Sequence, residues 1–101
     1  MIIYNVTTKV NWPIHDDWLR WMEHEHIPKI LETGCFFENR ILRLLEIDEE
    51  EGPTYAIQYY AFNKADYRGY IEQHAALFRQ EIDQKWGDQI IAFRSVMEVL
   101  H

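Results

Sequence analysis

Residues 36–62 read FFENRILRLLEIDEEEGPTYAIQYYAF. Two runs rich in aromatic and branched residues, Phe36 to Ile47 and Thr54 to Phe62, flank an acidic stretch closed by Gly52-Pro53. Breakers between two such runs are the signature of a β-hairpin. Successive side chains of a strand point to opposite faces of the sheet. Ile41-Leu42, Leu44-Leu45 and Tyr59-Tyr60-Ala61-Phe62 therefore place bulky groups on both faces of this hairpin.

Before the hairpin, Ile2 to Val10 reads as a first strand, and Trp12-Pro13 ends it. Proline suits a first helical turn, and Asp16 and Asp17 complement the dipole there. A helix from about Ile14 carries Ile14, Trp18, Trp21 and Met22 as its apolar residues. Pro28 lies inside that pattern, which predicts a kink or restart near His26-Ile27. Gly34 marks the helix end. After the hairpin, Asn63 with Asp66 three residues on resembles a helix cap. The spacing then predicts a helix to about Lys85, with Tyr67, Tyr70, Ile71, His74, Leu77, Phe78 and Ile82 on one side. Trp86-Gly87-Asp88 terminates it, and Gln89 to Leu100 is the last strand, again two-sided at Ile90-Ile91-Ala92-Phe93.

The order β-α-β-β-α-β is a split βαβ motif. It predicts one α+β domain over residues 1–101, ferredoxin-like, with two helices on one face of a four-stranded antiparallel sheet. Two helices cover only one face. The apolar groups on the other need a partner, and a second copy of the chain supplies one, so a homodimer through the open sheet face is expected.

Composition excludes several function classes. Seventeen acids against ten bases give a net charge of −7, and the densest charge run is Asp48-Glu49-Glu50-Glu51. Nucleic-acid binding leaves a basic stripe, and none is present. Anionic membranes are equally poor partners. No apolar run approaches the ~18 residues of a membrane span. Met1-Ile2-Ile3-Tyr4-Asn5 lacks the basic start and long apolar segment of an export signal. The single Cys35 allows no internal disulfide, which fits a cytoplasmic protein.

Topology, two-sided strands and the stretch Trp18 to Pro28 together resemble the dimeric α+β barrel superfamily. More narrowly, Trp18 to Pro28, Thr33-Gly34 and Gly87-Asp88 to Ala92-Phe93-Arg94 resemble a small uncharacterised bacterial family within it. The resemblance implies two four-stranded sheets forming a barrel, helices outside, and a pocket between sheet and helices in each protomer. The superfamily includes cofactor-free monooxygenases, muconolactone isomerases, haem-degrading enzymes and effector-binding domains.

Candidate residues follow from helical spacing. His74 falls near the centre of the second helix's apolar stripe, and Glu25 falls in line with Ile14, Trp18 and Trp21. A carboxylate beside an imidazole can serve as a general base with its orienting partner, or simply form a structural hydrogen bond. His26 precedes the Pro28 kink and is either a pocket group or a capping residue, with Glu23 three residues back as its partner. Asn5, Gln58, Tyr59 and Arg94 are the ligand-pocket candidates from the strands, three of them polar among apolar neighbours that must find hydrogen bonds. Arg94 suits a carboxylate from Glu25, from a second chain or from a ligand. In haem-degrading superfamily members a first-strand Asn joins a second-helix His and a Trp. Asn5 and His74 match by position, but Tyr59, Tyr60 and Phe62 stand where the Trp belongs. His24 and His26 are two apart on a helix and point to different sides, so no metal is expected there. Four scattered glycines build no dinucleotide loop, and no cofactor is expected. Two functions remain: a small-molecule site, as in a cofactor-free enzyme of monooxygenase or isomerase type, or a non-enzymatic homodimeric binding module.

Overall fold

Antiparallel pairing in the order β2–β3–β1–β4 builds one sheet from β1 (Ile2–Val10), β2 (Glu38–Arg43), β3 (Thr54–Ala61) and β4 (Ile90–Glu98). The computed structural model describes residues 1–101. The helical segments all lie on one face, giving the ferredoxin-like α+β arrangement. No helix is long and apolar enough to cross a membrane.

Register assigns the faces. Ile2, Tyr4, Val6 and Thr8 of β1 sit opposite Ala61, Tyr59, Ile57 and Tyr55 of β3 on the helix side. Tyr4, Phe36, Tyr59 and Tyr70 form an aromatic cluster there, with ring centroids 4.9 to 6.1 Å apart. The open face carries Ile3, Asn5 and Thr7, flanked by Gln58 and Tyr60 of β3 and by Phe93, Ser95 and Met97 of β4. Side chains of Ile91, Phe93 and Met97 remain exposed on it. The predicted two-sided strands are present.

The first helix is in three pieces: α1 (His15–Trp21), a π-helical turn over Met22–His26, and α2 (Ile27–Glu32). Proline has no N–H to donate, and its ring crowds the carbonyl four residues back. The ladder widens ahead of it, and the Ile27 N–H reaches back five residues to the Met22 carbonyl. The expected irregularity is therefore present, one turn earlier than the proline itself. Gly34 follows the helix with φ +78, the left-handed geometry that a C-terminal glycine supplies.

Four elements differ in extent from the sequence reading, β3 only in stopping at Ala61 rather than Phe62. The second helix divides at His74, where φ is −128, into α3 (Lys64–Gln73) and α4 (Ala75–Trp86). Asn63 caps α3 as expected, its side-chain oxygen accepting the Asp66 N–H at 2.8 Å. The second strand is shorter than Phe36 to Ile47. Phe36 turns into the core, and after Leu44 the chain leaves the sheet through Glu46 at φ +60. The last strand starts one residue late and stops at Glu98.

Candidate cleft between sheet and helices

The widened turn decides which side chains face the sheet. An ordinary helix repeats every 3.6 residues and would carry Glu25 inward from Trp18 and Trp21. Across the π turn the inward residues are instead Trp18, Met22, His26 and Ile30, spaced by four and all buried. Glu25 is exposed to solvent. It lines no part of the cleft, which corrects its expected inward position.

His26 is 3% exposed. It stacks on Trp21 at 4.6 Å and meets Phe78 edge-on at 5.8 Å. Its Nδ1 is buried with no hydrogen-bond partner. The imidazole lines a narrow cleft walled by Trp18, Ile57 and Phe78, with Tyr59 from β3 beside it. Free space in the cleft totals about 490 Å3 counted out to solvent, but only about 30 Å3 admits the centre of a water molecule. The inner part therefore has room for only one or two waters.

Arg79 of α4 and Arg94 of β4 also line it. Both donate to the Tyr4 hydroxyl, Arg79 Nη2 at 3.3 Å and Arg94 Nε at 3.1 Å. Neither guanidinium has a carboxylate within 4.0 Å, and Arg79 Nε is buried without a partner. The Tyr4 bond raises the Arg79 pKa. Burial pushes the Tyr59 and Tyr70 phenols up, so both stay protonated at neutral pH. Burial, and to a lesser extent the Lys29 ammonium, pushes the His26 imidazole down from 6.5 to about 4. Those phenols and His26 are thus neutral at pH 7, and the charge lining the cleft is that of the two guanidiniums.

Of the expected site residues, His26, Tyr59 and Arg94 come together here. His74 does not: it sits half-buried at the α3–α4 junction, tilted beside Tyr70 at 6.2 Å. Asn5 and Gln58 lie on the opposite side of the sheet, so the Asn–His arrangement that the haem-degrading resemblance implied is not assembled. Asn5 Nδ2 donates to Thr7 Oγ1 at 2.9 Å and Ser95 Oγ at 3.3 Å, while its Oδ1 is buried and unpartnered. Gln58 Oε1 accepts from the Tyr60 hydroxyl at 2.7 Å.

The sequence reading missed Arg79 and Tyr4. Arg79 was legible: Ala75, Phe78, Arg79, Ile82 and Trp86 are spaced as one helical face, and a guanidinium inside such a face asks for a reason. A second polar chain, Asp16 to His15 at 3.0 Å and His15 to Tyr55 at 2.6 Å, ties the start of α1 to β3 and borders no cavity.

Fold and cleft define a ferredoxin-like α+β protein with a guanidinium-lined cleft between sheet and helices. The chain belongs to the family of the domain of unknown function DUF4286, which matches residues 1–100. No curated protein matches the sequence. Among solved structures it is similar to an ethyl tert-butyl ether d (EthD) family protein from Bacillus halodurans, at TM-score 0.66 and 9% identity over 99% of this chain and 100% of that one. It is also similar to a dimeric ferredoxin-like protein from an uncultured marine organism, at TM-score 0.68 and 11% identity over 99% and 95%. At those identities the likeness is one of fold.

The shifted imidazole gives a pH dependence with a definite sign. Below about 6.5 the unfolded chain protonates His26, whereas the folded protein keeps it neutral down to about 4. Between those values the unfolded state holds the extra proton, so stability falls as pH falls, by ~1.4 kcal/mol per unit. The loss totals about 3 kcal/mol across the window and is complete at its lower end. Urea midpoints from pH 7 to pH 4 should show this slope in wild type and lose it in His26→Phe. Parallel profiles in the two proteins would remove His26 as its source.

Proposed function

We propose that the protein is a homodimeric small-molecule-binding α+β barrel, with a ligand in the sheet–helix cleft of each protomer. In its finer form the proposal is a cofactor-free enzyme of monooxygenase or isomerase type with His26 as the group that exchanges a proton with substrate. The observation that carries the reading is a histidine lining the cleft, His26, whose buried Nδ1 has no hydrogen-bond partner. An unsatisfied buried polar atom costs about 1–3 kcal/mol. An apolar side chain would fill that position at lower cost, so a ligand group or water that completes the bond explains why a histidine occupies it.

The dimer is supported by the unpartnered open face and by the dimeric solved relative. The free, half-buried Cys35 suits the reducing cytoplasm.

A thermal-shift screen of small organic compounds, run on wild type and on His26→Phe, tests the cleft. Compounds that raise the wild-type Tm and leave the variant unmoved support it. If none stabilises the wild type at millimolar concentration, the cleft is not a ligand site. The tight inner space favours the second reading in that case, a non-enzymatic homodimeric module whose polar residues are structural.

A further inference from the structure

We propose that the ligand of the cleft is a small organic carboxylate, its anionic end held between Arg79 and Arg94 and its apolar body against the aromatic wall. The inference rests on the cleft being a small-molecule site and names the class of molecule it takes.

The first support is a charge left uncompensated in a chain that has acids to spare. Seventeen carboxylates outnumber ten bases, yet none reaches either guanidinium at the cleft. Arg20, Arg40 and Arg43, by contrast, each pair with an acid, and the remaining unpaired guanidinium, Arg68, is exposed to solvent away from the cleft. Two guanidiniums converging on one phenol repel each other, and a phenol oxygen offsets little of that. An anion between them removes the repulsion and supplies the acceptors they lack.

The second support is geometry. Each guanidinium offers five N–H donors in a planar fork that matches a carboxylate. Tyr4 occupies one donor on each side, and Arg79 Nε has no acceptor at all. The arms come from different elements, α4 and β4, so the anion would bridge helix and sheet. Arg94 is exposed and held at the site only by its 3.1 Å bond to Tyr4. It can swing aside to admit a ligand and return onto its carboxylate.

The third support is the wall. Trp18, Ile57 and Phe78 are apolar or aromatic, and the only buried polar groups further in are neutral. A dianion or a sugar would strand charges or hydroxyls against them. A monocarboxylate with a short or flat hydrocarbon body would not, and the cleft, which as it stands admits little more than water, must widen for that body to reach the aromatic wall and His26.

Acetate, butyrate and benzoate, each against its neutral amide, are titrated into the 15N-labelled protein, with shifts of the cleft residues followed by NMR. The acids should bind at least about tenfold more tightly than the amides, as charge-assisted bonds to two forks require. Arg79→Gln and Arg94→Gln should each weaken the best acid by a further factor of about ten, with Arg94→Lys recovering part of the loss. Arg20→Gln, remote from the cleft, should leave binding unchanged. Acids and amides that bind equally would overturn the carboxylate assignment while leaving a small-molecule cleft. Cleft resonances unmoved by every acid and amide would overturn both.

Discussion

Gly52→Ala should lower the Tm by at least ~12 °C or prevent folding. A Cβ built on Gly52 falls 1.7 Å from the Val10 carbonyl oxygen and 2.7 Å from its carbon. The obstacle is backbone, so no rotamer change relieves it. Nor can the two segments separate cheaply. The Val10 N–H donates to the Pro53 carbonyl at 3.0 Å, and the Trp12 N–H donates to the Glu51 carbonyl at 2.9 Å. Overpacking of this kind costs about 1–3 kcal/mol, and losing the two hydrogen bonds adds about 1 kcal/mol each. In a domain of this size each kcal/mol moves Tm by about 4–8 °C. Gly69→Ala is the control. It lies inside α3 with nothing within 4 Å of the new methyl, so it should stabilise by about 0.5–1 kcal/mol. Circular dichroism melts of the two variants decide the matter. A Gly52→Ala protein melting within 3 °C of wild type would show that the close approach is not rigid.

Gly52 shows what was legible in the sequence and what was not. Gly-Pro after an acidic run announced a turn, and the hairpin is there. That the turn presses against the end of β1 is a tertiary fact, invisible to local chemistry. The same division runs through the site. Strand faces follow from a period of two, so the opposed placements of Asn5 and Tyr59 were recoverable once β1 and β3 were aligned. Helix faces assume a constant period, and Pro28 breaks that assumption. Glu25 was read inward because 3.6 residues per turn was carried through a segment that widens. The stripe Trp18, Met22, His26, Ile30, spaced by four, was present in the sequence and selects His26. His74 failed for a related reason: the helix that should have carried it inward is interrupted at that residue.

Phe93→Asp should convert the proposed dimer, of twice the 12.3 kDa chain mass, into a monomer. Phe93 is 63% exposed in the protomer, and Ile91 beside it is 70% exposed, on the face that no helix covers. Burying a phenylalanine side chain contributes about 1.5–3 kcal/mol. A two-fold interface uses each residue twice, so one substitution removes about 3–6 kcal/mol and adds two desolvated carboxylates. Each 1.4 kcal/mol is a factor of ten in Kd, which puts the variant's dissociation constant at least ~100-fold higher. Because the ring is mostly exposed before association, the protomer loses little of its own core and should keep its circular dichroism spectrum. Leu77→Asp is the matched control. It places the same charge at an exposed leucine on α4, on the helical side, and should remain dimeric. Light scattering at tens of micromolar reads both masses. A wild type of single-chain mass, or a Phe93→Asp protein that stays dimeric, would remove the open face as the interface.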